Sequence, residues 1–518
     1  MLLNIKMTVG MVLKKIKSIK KAAIMSAAMA AVMVFAVTIT MILTAIVNAK
    51  AVYASEAHYL HDVYISVNGG EAKYVRAVDC EYDNNLYISL RDIAEALRGT
   101  NAAFNIEVTN DEIAVSAGDP QSERSLDGWQ DEEKDAFTAK EVAMNSFTFN
   151  GSLRKYYNLR AAYGDGVDCF LRPVNLCMML DIDIDDAGED SYSINTNSIL
   201  AVSPEELEED GYFDEVGAAL IGDATTGRIY YEYNADAPLP IASTTKLMTY
   251  LLTEEAIERG ELTEEDYVTV SEAAASLSAS ADGTVAMSAG SQATVRELIL
   301  GALLPSSNEC ALLLGEKVGG SSDAFTQLMN EKAAQLGMTT AHFNNPNGLP
   351  DYNDSGLPSK RQNQMSAEDM FRMCSYILNN FPQIKEVTSL TDASLTSFGR
   401  DIKNTNALLY NMPEINGLKT GTTDRAGACL VTSLTVNDGS MDHDLVVVLL
   451  GAENNNARFT TSQLLAYYGK NVVLGQLSAD GHALSAGSSE ETALVTITSS
   501  SLVNMVVSAA MQKNNAGS

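Results

Sequence analysis

The chain has 518 residues, 46% hydrophobic and 20% charged, with only 11 prolines. That length allows about three domains, and the composition excludes a disordered, collagen-like or polytopic membrane chain. The formal charge is −32, and because residues 1–54 hold seven lysines and no acid, 28 basic residues face 67 acidic ones from Ser55 onward; a surface of that sign repels phosphate backbones and excludes nucleic acid as a partner.

At the N-terminus six lysines between Lys6 and Lys21 precede 28 uncharged residues, Ala22–Ala49. A basic run before an apolar core reads as an export signal that keeps the lysines in the cytoplasm. The small residues of Ala49-Lys50-Ala51 and Val52-Tyr53-Ala54 place cleavage near Ala51 or Ala54. The apolar run also exceeds the roughly 20 residues of a membrane span, so retention as an anchor, with attachment to the membrane, is the alternative. Either way residues 1–54 send the rest of the chain to the cell envelope or beyond. Six cysteines without a C-x-x-C pair do not make a disulfide scaffold and are expected as buried thiols. No H-E-x-x-H occurs, and His58-x-x-His61 reads as a solvated tail, so no metal site is predicted.

Residues 62–200 repeat themselves. Ser66-Val67-Asn68-Gly69 and Leu86–Ala94 are matched by Thr148-Phe149-Asn150-Gly151 and Asp168–Leu176, with offsets of 82 at the Asn-Gly step and 81 at the Leu-Arg step. Asn-Gly between alternating runs predicts a hairpin turn, so each unit reads as strand, turn, strand, short helix, strand. Asp181–Asp186 imitates a calcium loop, but Asp186 stands where such a loop needs Gly and Tyr192 where it needs Glu; a strand is expected there instead. The doubled pattern resembles the copper amine oxidase N-terminal-like (stalk) domain. That resemblance implies a spacer or binding module on the outer surface, without metal.

An acidic linker, residues 201–216, leads into a segment at 217–475 that begins and ends with strands: Ala218–Ile221 and Arg228–Tyr233, then Cys429–Val436 and Asp444–Leu450. Between and after them the spacing predicts helices over Lys246–Arg259, Val295–Leu304, Glu309–Val318, Asp323–Leu336, Ala367–Leu378 and around Arg458–Tyr468. This is an α+β arrangement, one antiparallel sheet with helices packed on it, preceded by a β-rich region with short helices. Residues 476–518 are rich in Ser, Ala and Gly, with one β-like run at Ala493–Ile497.

Three short motifs carry chemistry. Ser243-Thr244-Thr245-Lys246 puts a hydroxyl and an amine one helical turn apart, and a desolvated neutral amine can activate a serine nucleophile. The pattern is unspecific alone, since Ser18–Lys21 and Ser152–Lys155 share it. Ser306-Ser307-Asn308 follows Pro305 between two predicted helices. Lys419-Thr420-Gly421 occurs once and stands just before a predicted strand. In this order the set resembles the active-site serine penicillin-recognising enzymes. Within them, Ile241–Thr249, Phe343–Leu349, Asn406–Leu409 and Gly417–Thr423 make it similar to the low-molecular-mass D-alanyl-D-alanine carboxypeptidases, whose fold is that of penicillin-binding proteins and β-lactamases.

The resemblance implies Ser243 as the acylated nucleophile, Lys246 as its base with a pKa depressed by Lys419 and poor solvation, and Ser306 as proton relay. It implies substrate binding by Asn308, Lys419, Thr420, Gly421 and Thr422, with the backbone N–H groups of Ser243 and Thr422 as the oxyanion hole. Lys419 and Arg458 are its candidates for the terminal carboxylate. The substrate would be a peptidoglycan stem peptide, β-lactams would be acylating inhibitors, and no cofactor is required. Other readings are a D,D-endopeptidase, a class A β-lactamase and a non-catalytic surface binding protein. The lactamase would be expected to show Ser-Asp-Asn and a Glu-x-x-Leu-Asn segment, where this chain has Ser306-Ser307-Asn308 and Asn345–Leu349.

Overall fold

A computed structural model of the chain describes residues 58–80, 85–108, 113–121, 123–139, 143–163, 166–188, 190–350 and 361–476. The expected export signal, the Ser18–Lys21 pair and nearly all of the C-terminal segment lie outside the described residues. Among those described, no helix is long and apolar enough to cross a membrane.

The sequence repeat becomes a symmetric sheet. Unit one runs His58–Val67, Lys73–Cys80, Asn85–Ser89, the helix Leu90–Ala96 and the hairpin Phe104–Val108/Ile113–Ala117. Unit two runs Ala143–Phe149, Ser152–Tyr163, Gly166–Leu171, the helix Pro173–Leu180 and the hairpin Asp183–Gly188/Ser191–Asn195. Asn68-Gly69 and Asn150-Gly151 both turn with positive φ, as the spacing predicted. The units join where Ile88 pairs with Leu171, and they exchange their last hairpins. The unit-two hairpin adds in parallel to the first strand of unit one (Tyr64 opposite Ser191), and the unit-one hairpin adds in parallel to the first strand of unit two (Ala114 opposite Thr148). With the short strand Thr138–Ala139 this makes an eleven-stranded sheet. The Asp-rich run is the strand Asp183–Gly188, not a loop. His58 and His61 belong to the first strand rather than to a solvated tail; the strand register opposite Ala77–Cys80 holds them there.

A second, five-stranded sheet is antiparallel throughout. Its strands are β1 (Ala218–Asp223), β2 (Arg228–Tyr233), β3 (Ile415–Thr423), β4 (Gly427–Asn437) and β5 (Asp442–Ala452), in the order β2-β1-β5-β4-β3. Both faces are covered, which explains the unbroken apolar run Leu445–Leu450 in β5. Leu220, Val446, Val448 and Leu450 point into a core with the helices α1 (Lys246–Glu258), α2 (Val295–Leu303), α3 (Asn308–Gly319) and α4 (Ala367–Asn380). Ala219, Ile221, Leu445, Val447 and Leu449 point the other way, toward helix α5 (Asn455–Val473). The α+β expectation thus holds. One element differs: Lys419-Thr420-Gly421 lies inside β3 rather than before a strand, because Gly417, Lys419 and Gly421 interrupt the apolar alternation by which strands are recognised.

The face of α5 turned from its sheet packs into the same core as the eleven-stranded sheet, which contributes Val63, Ile65, Phe147 and Leu171. Polar contacts cross there. Arg172 Nη2 donates to Thr460 Oγ1 at 2.8 Å, Tyr467 OH to the Met178 carbonyl at 2.9 Å and Arg154 Nη1 to the Tyr410 carbonyl at 2.9 Å. The six cysteines are buried.

Candidate active site

Ser243 lies in a single 3-10 turn, Ala242–Thr245, from which α1 begins at Lys246. Residues three apart eclipse in such a turn, so the two side chains line up and Lys246 Nζ sits 2.7 Å from Ser243 Oγ. The other Ser-x-x-Lys match, Ser152–Lys155, lies on a strand, where a spacing of three sends side chains to opposite faces.

Lys246 is buried, and its amine is surrounded. It lies 2.8 Å from Asn308 Oδ1, 2.8 Å from the Asn347 carbonyl and 3.4 Å from Ser306 Oγ. Burial lowers its pKa to about 7, against the opposing pull of Glu309 and Cys310. Ser306 adopts a left-handed φ of 66° just before the Ser307 cap of α3, and Ala242 has φ 46° just before Ser243. Strain of this kind costs of order 1–3 kcal/mol per residue and collects at functional sites.

The third motif arrives on β3, the edge strand beside Ser243. A Cβ on Gly421 would stand 2.9 Å from Ser243 N and 3.0 Å from Ile241 O, so no larger residue lets the strand pass this close. Lys419 is buried two residues earlier, with Nζ donating to Thr420 O at 2.9 Å. Its pKa falls well below the ordinary value, first through burial and then through the positive charges of Lys246 and Arg458. The expectation that Lys419 would depress Lys246 is therefore met differently: burial is the chief cause at Lys246, and repulsion within the pair weighs on Lys419, which also faces Arg458. Thr420 Oγ1 meets Thr405 Oγ1 at 2.5 Å, while Thr422 is exposed on the strand.

Arg458, on the first turn of α5, lies beneath β3 rather than in its mouth. Its Nη1 donates to the carbonyls of Gly421 and Cys429 at 3.2 Å and to Thr422 Oγ1 at 3.1 Å, and Nη2 donates to Asn455 Oδ1 at 2.5 Å. Since Thr422 Oγ1 accepts from Arg458, its own proton remains available to a ligand. Ser243, Lys246, Ser306, Asn308, Lys419, Thr420, Gly421 and Thr422 are thus gathered about one site, with Arg458 behind it.

Several contributors were not singled out from sequence. The Asn347 carbonyl holds Lys246, and Gly348 presses so closely on the turn before Ser243 that a Cβ there would stand 2.0 Å from Ala242 O. Buried Asn363 fixes this segment: its amide donates to Thr245 Oγ1 at 3.0 Å and to Asn345 O at 2.8 Å, and its Oδ1 accepts from Asn344 N at 2.7 Å. Asn-Asn-Pro-Asn-Gly is a turn signal, yet nothing in it says that a main-chain carbonyl would reach the lysine. Among the described residues no cluster of three His, Cys, Asp or Glu side chains could hold a metal ion.

Comparison with known proteins bears on this site. A family model described as D-alanyl-D-alanine carboxypeptidase matches residues 213–454. The chain is 32% identical over 248 residues to D-alanyl-D-alanine carboxypeptidase DacF of Bacillus subtilis, covering 47% of this chain and 59% of the relative. It is 31% identical over 226 residues to a D-alanyl-D-alanine endopeptidase of Pseudomonas aeruginosa, covering 43% of this chain and 67% of that one. Among solved structures, a peptidoglycan synthesis regulatory factor (PBP3) from Streptococcus pneumoniae is 33% identical, with a TM-score of 0.45, over 49% of this chain and 73% of its own. The match to DacF spans about three fifths of that relative's length.

Proposed function

This chain belongs to the D-alanyl-D-alanine carboxypeptidase family, and from that premise we propose that it removes the terminal D-Ala from peptidoglycan stem peptides through an acyl-Ser243 intermediate. One observation carries the reading. A neutral amine has two N–H groups and one lone pair; Asn308 Oδ1 and the Asn347 carbonyl, both acceptors only, take the two N–H groups of Lys246 at 2.8 Å each. The lone pair is left facing the Ser243 hydroxyl at 2.7 Å, and an amine with a pKa of about 7 is substantially unprotonated at neutral pH.

Attack of Ser243 Oγ on the penultimate D-Ala carbonyl transfers its proton to Lys246. The C–N bond then breaks, and the proton passes by way of Ser306 to the departing amine of D-Ala. Water hydrolyses the ester and returns the enzyme. The backbone N–H groups of Ser243 and Thr422 hold the oxyanion; one such donor is worth about 10²–10³ in kcat. Lys419, Thr420, Gly421 and Thr422 bind the substrate along the β3 edge, and Asn308 fixes both substrate backbone and Lys246. Burial first, then the charges of Lys246 and Arg458, disfavour the charged form of Lys419, and an incoming carboxylate favours it. Arg458 supports that carboxylate through Thr422.

The test is intact mass spectrometry after benzylpenicillin treatment. A covalent adduct is expected on the wild type and none on Ser243→Ala; an adduct on both would overturn the assignment. A D,D-endopeptidase would use the same residues, and the Pseudomonas relative bears that name. Products from monomeric and cross-linked muropeptides separate the two. The class A β-lactamase reading is disfavoured because a main-chain carbonyl, that of Asn347, meets Lys246 from the segment where such an enzyme needs a deacylating carboxylate.

The remaining assignments belong to the same proposal. Residues 1–54 direct export, with cleavage near Ala51 or Ala54 or retention as a membrane anchor, so the enzyme works outside the cytoplasm. Residues 62–200 form a copper amine oxidase N-terminal-like module that serves as a spacer or binding module on the outer surface. Residues 201–216 link it to the catalytic region, 217–475.

A further inference from the structure

Lys246 is oriented by Asn308, and Asn308 is in turn oriented by something the mechanism has not used. Its amide donates to the Asp282 carbonyl at 2.8 Å, so its position depends on where that turn lies. The next residue of α3 holds the turn. Glu309 is 0% exposed, and its Oε1 accepts the backbone N–H of Thr284, at 2.9 Å, and that of Val285. Adjacent positions at the start of one helix therefore grip a carbonyl and two amides of the same turn. The second oxygen, Glu309 Oε2, is buried without a hydrogen-bond partner among the described residues.

The titratable and charged groups facing Lys246 are Glu309 and Cys310 from α3 and Lys419 from β3, while Arg458 on α5 faces Lys419. Burial pushes the Cys310 thiol up to about 12, so it stays neutral at physiological pH. Among the described residues it is Glu309 that opposes the burial that discharges the lysine.

We infer that Glu309 is a positioning residue for Ser243 acylation: one oxygen clamps the Asp282–Val285 turn onto Asn308, and the carboxylate places a negative charge near the Lys246 amine. This rests on the reading of Ser243 as nucleophile and Lys246 as its base. Acylation of the full chain by benzylpenicillin, followed by intact mass from about pH 5 to 9, tests it. The wild type should accelerate as pH rises through about 7, where Lys246 loses its proton. Glu309→Gln keeps an oxygen for the two amides but removes the charge. The lysine then sheds its proton more easily, and the acid limb should move to lower pH by roughly one unit.

Glu309→Asp keeps the charge but shortens the reach. Its limb should stay near the wild-type position while the Thr284 and Val285 amides exchange at least about tenfold faster. A folded Glu309→Gln with an unmoved limb would overturn the inference. So would a Glu309→Asp whose two amides keep wild-type protection, and that measurement decides alone if the Gln variant does not fold. A wild type that takes no adduct on Ser243 would bring down the underlying reading, and this inference with it.

Discussion

At the scale of single residues, the hydroxyl and the amine were legible because a spacing of three in the first turn leaves them one place to meet. Which protonation state the amine takes was not. That depends on burial, on two acceptors from distant segments and on a carboxylate one position past the second motif, none of which has a sequence signature. Arg458 shows the same division. Its identity and helix were readable, yet it lies under β3 with its donors directed at Gly421, Cys429 and Thr422. Its charge therefore reaches a ligand through the Thr422 hydroxyl. Replacing it by Gln removes a charge-assisted bond worth about 1.5–3 kcal/mol. Arg458→Gln should lower kcat/KM on peptides ending in a free carboxylate by roughly 10–100-fold, mostly in KM, and change the rate on the C-terminally amidated peptide far less. Equal losses on both would show that Arg458 supports the strand alone.

At the scale of elements, the catalytic helices were largely readable from apolar spacing and their stops, and the Asn-Gly repeat announced the two N-terminal units. Two features escaped. Sequence shows that the units repeat but not which strand each last hairpin joins, since each of those pairings crosses from one unit to the other. Strand β3 was missed because two of its glycines and a lysine occupy positions where a strand usually shows side-chain alternation. Those glycines mark close approach instead. Gly421→Ala puts a methyl 2.9 Å from Ser243 N, and overpacking of this kind costs about 1–3 kcal/mol. The neighbour is main chain, so it is the strand or the nucleophile turn that must give way. Acylation by benzylpenicillin should fall at least about 100-fold, as expected when an oxyanion donor is displaced, while circular dichroism stays native. Wild-type acylation in Gly421→Ala would mean that the strand has room to spare.

At the scale of the whole molecule, the two sheets share one apolar core through α5, which argues against two bodies joined by a tether. The polar contacts at that junction are specific to backbone as well as side chain. Asn411, buried between the sheets, accepts from Lys155 N at 2.8 Å and donates to Lys155 O at 2.8 Å, completing the edge of an N-terminal strand as another strand would. The same side chain donates to Gln463 Oε1 at 3.3 Å, and Gln463 donates to Tyr156 OH at 3.3 Å. Asn411 follows the 3-10 turn Ala407–Tyr410, whose cap, Asn406, donates to Gly417 O at the base of β3. The N-terminal units therefore brace the strand that carries Lys419. Heat should then unfold both sheets in one calorimetric transition, and Asn411→Ala, which leaves a buried N–H and C=O unpaired, should lower the stability of that whole transition by about 1–3 kcal/mol. Two separate transitions, with only the first displaced by Asn411→Ala, would show instead that the sheets fold independently and that the brace is nominal.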